Sequence, residues 1–213
     1  MNLKLIRKSA VLTILLVILA VSLAHAQTRE WTFMLFMAAD NNLESGTAPD
    51  INELEKYGSN DKLAFVAQID LNGNFNNESE LKWTGTRRFF IQRDNNMKKM
   101  TSPVIEDLGE VDMATPEALK DFVRWARENY PAKRYAIILW NHGTGWKEIS
   151  PNIMEMAMPP VELSPGMTTA LENISYNISY DDTSRTSMDI PTLHRTLEEV
   201  KDILGQPIDL LGF

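Results

Sequence analysis

The stretch Tyr135-Ala-Ile-Ile-Leu-Trp-Asn-His-Gly-Thr-Gly-Trp146 constrains this chain more than any other. Apolar and aromatic residues run unbroken from Ala136 to Trp140, as in a strand buried on both faces, and the run stops at Asn141-His142-Gly143-Thr144-Gly145. A titratable imidazole therefore stands where a buried strand meets a turn. In open parallel sheets the carboxyl ends of the strands are where ligands bind and chemistry is placed. His142 is thus the first candidate for a catalytic residue. The glycine after it lets the backbone approach a ligand closely, so the Gly143 amide could donate to a developing oxyanion. A histidine at a strand end is also a common turn residue, so position alone does not decide the matter.

The flanking sequence supplies the rest of an α/β pattern. Trp31 to Ala39 reads as a first buried strand with Asp40-Asn41-Asn42 as its turn, and a helix is expected within 43–57, with Ala48, Ile51 and Leu54 on one face and Gly58 as its stop. Leu63 to Ile69 reads as a second strand ending at Asp70. Leu81 to Trp83 and Thr86 to Gln92 flank Thr84-Gly85, which predicts an antiparallel hairpin appended to a mostly parallel sheet. The polar segment 94–103 is expected to be an exposed loop with a short strand near Met97. Thr115-Pro116-Glu117 combines a capping hydroxyl, a first-turn proline and an acid, and opens a helix with the stripe Leu119, Phe122, Val123 and Ala126, ended by Pro131. Asp189-Ile-Pro191 opens a last helix with Ile190, Leu193, Leu197, Val200 and Leu204 as its stripe and Gly205 as its cap, and Ile208 to Phe213 begins another buried strand.

Asp40, Asp70 and His142 each follow a run of strand character, so parallel strands would bring all three to one edge of the sheet. A strand at 208–213 would deliver its next residues to the same edge. An apolar strand with no closing turn reads as the end of a fragment, either truncated or cut during maturation, so more chain is expected beyond it.

The first 26 residues read as a signal peptide, with a basic start at Lys4, Arg7 and Lys8, an apolar core from Ala10 to Leu23, and Ala24-His25-Ala26 as the cleavage site. The apolar stretch is shorter than the ~20 residues that span a bilayer, which favours cleavage over anchoring. The mature chain would be secreted or periplasmic, a single domain over 27–213. Cleavage removes three of the 21 basic residues and none of the 29 acidic ones, leaving 18 against 29, a formal charge of −11. Such a surface does not suit nucleic acid or anionic lipid as a partner and would attract cationic substrates. Residues 149–177 carry four prolines and four methionines and read as a long loop or insertion just after the histidine.

Cysteine is absent, so neither a disulfide nor a thiol nucleophile is present in this chain. Ser150 and Ser184 lack the Gly-x-Ser-x-Gly setting of a nucleophile elbow. With His25 in the leader and His194 reading as a solvated helix residue, no His-Glu-x-x-His zinc spacing exists.

Trp140-Asn-His-Gly-Thr-Gly-Trp146 resembles the histidine motif of the clostripain family of secreted cysteine peptidases, in the caspase-like group. Trp31 to Glu44, Asp50-Ile-Asn-Glu53, Leu108-Gly-Glu-Val111, Asn129-Tyr-Pro131 and Leu210-Leu-Gly-Phe213 match it in order. The resemblance implies a caspase-like fold and a Cys-His dyad that cleaves proteins and peptides after Arg or Lys. The strand at 210–213 would continue into an Asp-Ala-Cys that supplies both the nucleophile and the acid recognising the basic side chain. His142 and Gly143 are then the catalytic residues in this chain, which alone is expected to be inactive. A Cys-bearing second chain would be its partner if the protein is processed, with Arg185 more accessible than Lys147 as the cut site. The resemblance demands no cofactor. Calcium, which some relatives bind, stays open: Asp181-Asp182 and Asp189 could offer ligands but lack a calcium-loop spacing, and capping explains them equally well. A noncatalytic secreted α/β binding module is the alternative, separated from the enzyme by whether a cysteine follows Phe213.

Overall fold

The computed structural model describes residues 28–73, 81–142 and 177–213. Residues 1–27, which include the expected leader, residues 74–80, and residues 143–176, with Gly143, Lys147, Ser150 and most of the expected long loop or insertion, lie outside the described residues. Eleven elements follow in order: β1 (Arg29–Ala39), α1 (Glu44–Glu55), β2 (Leu63–Leu71), β3 (Gly85–Phe90), β4 (Val104–Gly109), α2 (Pro116–Asn129), β5 (Ala132–Trp140), β6 (Asn177–Asp181), β7 (Thr186–Asp189), α3 (Ile190–Leu204) and β8 (Leu210–Gly212).

A six-stranded sheet has the order β4-β3-β2-β1-β5-β8, and β6 pairs with β7 in a separate hairpin. β2, β1, β5 and β8 are parallel, while β3 and β4 are antiparallel additions at one edge. The protein is therefore α/β with a mostly parallel sheet, as the strand and helix patterns predict.

β1 sits at the centre, and strand pleating sends its alternate side chains to opposite faces. Met34, Phe36 and Ala38 join Leu119, Phe122, Val123 and Ala126 of α2 and Leu193, Val200 and Leu204 of α3 in one core. Leu35, Met37 and Ala39 pack with Ala48 and Ile51 of α1 in the other. Continuous apolar runs are what a strand covered on both sides requires.

The helix termini follow the chemistry of their sequences. The Thr115 hydroxyl accepts from Ala118 N, Asp189 accepts from Thr192 N, and Gly205 closes α3 in the left-handed conformation at φ 71°. Gly58, at φ 59°, lies so close to Arg93 that an added Cβ would stand 2.2 Å from the Arg93 nitrogen. It ends α1 at a point where no side chain fits.

Several expectations need correction. The hairpin pairs β3 with β4, across a long loop, and not with 81–83. Trp83 instead packs its ring on Phe89 and under the Arg87 guanidinium. Met97 lies in a turn, and the missed strand starts at Val104; its alternately exposed pattern reflects its place at the sheet edge. β8 is half-exposed, with Leu210 at 43% and Leu211 at 37%, because it pairs only with β5 among the described residues. Ile190 is exposed rather than part of the α3 stripe. The hairpin β6–β7 was not anticipated, since register irregularities between Ile178 and Asp181 break its alternation.

Phe122 is fully buried and packs on Phe36 and Trp125. Phe122→Ala is expected to lower the unfolding free energy by about 3–5 kcal/mol, read from urea denaturation. A loss below about 1 kcal/mol would contradict the central place given to α2.

Candidate active site

β5 ends at Trp140 opposite Met37, two residues before the end of β1 at Ala39, and the turns after them carry Asp40-Asn41-Asn42 and Asn141-His142. His142 is exposed, and its Nε2 lies 2.6 Å from Asn42 Oδ1. An amide oxygen only accepts, so Nε2 carries the proton, and in the neutral ring Nδ1 is left with the free lone pair. The ring is thereby held from one side, and among the described residues no hydrogen bond is made to Nδ1 on the other. Trp140 anchors the end of β5: its Nε1 donates to Asp50 Oδ2 at 2.6 Å, and its ring covers Gly46 of α1.

Two asparagines fasten the hairpin β6–β7 over these strand ends. Asn41 Nδ2 donates to Ala38 O at 2.9 Å and Tyr180 O at 3.1 Å, and Asn141 Nδ2 donates to the same two carbonyls at 2.5 and 2.9 Å. Asp182 N donates to Asp40 O at 2.9 Å. The residue beside the histidine is thus tied both to β1 and to the hairpin.

β8 completes the geometry. It is parallel to β5, with Ala136 opposite Leu210 and Ile138 opposite Gly212. Its carboxyl end therefore points to the rim that carries His142. The expectation that the histidine and the end of the last strand share one side of the sheet holds.

The acids behave less simply. Asp40 follows β1 as expected, but Asp70 lies within β2, opposite Ala38 on β1 and Thr86 on β3. Both are fully buried. Asp181 and Glu110 join them, the four carboxylates each offering an oxygen within 4.8 Å of the others. Burial pushes the Asp70 carboxyl up to about 8 against the pull of the Thr86 hydroxyl, and Glu110, Asp181 and Asp40 add to the rise. Burial also raises Asp181 and Glu110. Of the three acids singled out for calcium, only Asp181 reaches this cluster; Asp182 is exposed and Asp189 caps α3. By sequence alone Glu110 has no role within Leu108-Gly-Glu-Val111, and Asn42 and Asn141 read only as turn residues. Adjacency to two strand ends was the available clue for the asparagines; nothing local in the sequence marks Glu110. His194 is exposed on α3, away from the strand ends, and Ser184 lies in the β6–β7 turn with its amide on Asp181 Oδ1.

Asn141→Ala removes two hydrogen bonds, one to Ala38 O on β1 and one to Tyr180 O that docks the hairpin. The expected result is faster amide hydrogen exchange across 177–189 and a stability loss of about 1–3 kcal/mol; unchanged exchange would show that the hairpin is held by other contacts.

Comparison with known proteins fits this geometry. The family model for the clostripain family matches residues 35–157, more than half of the chain. Clostripain from Hathewaya histolytica is 30% identical over 128 residues, which are 56% of this chain and 24% of that protein. An X-ray structure of a secreted C11 cysteine protease from Bacteroides thetaiotaomicron, in complex with an irreversible peptide inhibitor, matches with a TM-score of 0.52 at 17% identity. That match covers 85% of this chain and 41% of the other. A second structure from the same organism, a secreted C11 cysteine protease called iotapain, matches with a TM-score of 0.51 at 15% identity, over 86% of this chain and 45% of that one. The chain thus spans about a quarter of clostripain and under half of these solved chains. With the family model matching more than half of its length, the chain belongs to the clostripain family.

Proposed function

We propose that this chain is the amino-terminal part of a secreted cysteine endopeptidase that cleaves after Arg or Lys, with residues 1–26 as its leader, 27–213 as the first part of its peptidase domain and 149–177 as an insertion. The observation that carries the reading is the exposed His142 at the carboxyl rim of β5, with β8 parallel beside it. Polypeptide continuing β8 runs to that rim within a few positions, where a cysteine would face the imidazole.

The chemistry follows from the hydrogen bond to Asn42. With Nε2–H held by the amide oxygen, Nδ1 takes the proton of the thiol, and the thiolate attacks the scissile carbonyl. The carbonyl oxygen gains negative charge, to which the Gly143 amide donates. The imidazolium then protonates the leaving amine, and water hydrolyses the thioester. Recognition of the basic side chain falls to an acid preceding the cysteine. Arg185, exposed in the turn between β6 and β7, is the proposed site of self-processing into two chains.

In the full-length protein, His142→Ala is expected to reduce cleavage of arginyl and lysyl peptides by about 10²–10⁴-fold with the melting temperature nearly unchanged, because the ring is exposed. Asn42→Ala is expected to give a smaller loss in kcat with little change in KM. The isolated 1–213 chain is expected to cleave neither peptide. Cleavage by that chain, abolished in His142→Ala, would overturn the reading, as would a full-length protein in which no cysteine follows β8; the latter would leave a binding module on a peptidase scaffold.

A further inference from the structure

Asp50-Ile-Asn-Glu53 is one of the stretches that carry the family resemblance, and the peptidase reading leaves it without a part. Asp50 is exposed on α1. Among the described residues its carboxylate pairs with no Lys or Arg, and it takes the Trp140 indole Nε1–H at 2.6 Å. Holding an exposed acid on an indole orders both side chains, which costs entropy that the surrounding packing has to offset. The indole has a seat that does this. Gly46 lies one turn before Asp50 on α1, and a Cβ there would stand 3.4 Å from Trp140 Cζ2, so the ring lies against the helix. The ring also packs on the core that contains Ala48 and Ile51.

The two segments joined by this contact are the two that meet at the imidazole. Leu43 alone separates Asn42 from α1, and Asn141 alone separates Trp140 from His142. Asn41 locks the first turn into the helix: its Oδ1 accepts from Leu43 N at 2.9 Å, and its carbonyl accepts from Glu44 N at 3.1 Å. Asn42 is therefore carried by α1. At the end of β5, neighbouring side chains leave on opposite sides of the sheet. Asn141 fastens this end to Ala38 on β1 and to the hairpin at Tyr180, and Trp140 fastens it to the helix that carries Asn42. Asn42 and His142 are both exposed, so water competes for their 2.6 Å contact. The contact persists only if the two backbones are held at a fixed separation.

We propose that Asp50 is a positioning residue, whose hydrogen bond from Trp140 fixes α1 against the end of β5 and so keeps Asn42 on His142 with Nε2 protonated. The effect on catalysis rests on the peptidase reading, whereas the effect on the imidazole tautomer does not. An indole N–H needs an acceptor and no charge, and an amide oxygen is one. Asp50→Asn therefore keeps the contact, while Asp50→Ala and Trp140→Phe remove it.

The test uses the full-length protein with nitrogen-15 in its histidines, at a pH that keeps the ring neutral, and assigns the His142 signals by their loss in His142→Ala. The parent is expected to show the Nε2–H tautomer. Asp50→Ala and Trp140→Phe are expected to show signals averaged over both tautomers, and Asp50→Asn those of the parent. On an arginyl peptide, Asp50→Ala is expected to lower kcat about tenfold with KM little changed, and Asp50→Asn to restore most of the loss. Because Asp50 is exposed, the melting temperature of Asp50→Ala is expected to stay near that of the parent. A parent whose proton sits on Nδ1, a parental tautomer in Asp50→Ala, or an Asp50→Asn protein no better than Asp50→Ala overturns the inference. A parent that cleaves no arginyl peptide defeats the peptidase reading instead, and the tautomer signals still decide this one.

Discussion

The structure depends on the parallel pairing of β1 with β2 on one side and β5 on the other, at the buried centre of the sheet. Parallel strands deliver their carboxyl ends to one rim. Because the connections between them are helices covering both faces, that rim is left free for turns. Every candidate functional residue sits on one of those turns, at a strand end, or on the hairpin laid across them. Sequence segments far apart, such as Asp40 and Asn141, are adjacent for this reason alone.

The same alignment carries a cost. Strand ends that bring polar groups together also crowd acids, and Asp40, Asp70 and Asp181 are almost wholly buried. Backbone amides from the hairpin and from the turn before α2 meet part of the demand, since Asp40 and Asp181 accept from Thr183, Met113 and Ser184. The hairpin is thus more than a connection into α3. It places a second layer over the rim and reaches the histidine through the Asn141 amide.

Much of this was legible in the residues. Thr115-Pro116 and Asp189-Ile-Pro191 are local capping chemistry, and both helices begin where those residues put them. The continuous apolar runs of β1, β2 and β5 announce strands covered on both faces. His142 could be placed because it follows such a run directly. What was not legible is long-range. Val104 to Gly109 is an edge strand with no buried pattern to reveal it, and its partner lies beyond a long loop. Glu110 and Asp181 meet only in three dimensions, so spacing along the chain could not group them. Leu210 and Leu211 are apolar and yet half-exposed, because apolar composition reports what a strand can bury and not what lies beside it.

The central claim is that His142 serves a thiol brought to the same rim by polypeptide that continues β8. It is tested most directly by treating the full-length protein with a lysyl or arginyl peptide bearing a thiol-reactive electrophile and locating the modified residue by mass spectrometry. The account predicts a single labelled cysteine within a few positions after Phe213, with labelling suppressed in His142→Ala. Labelling of a cysteine remote from β8, or equal labelling without the imidazole, would contradict it.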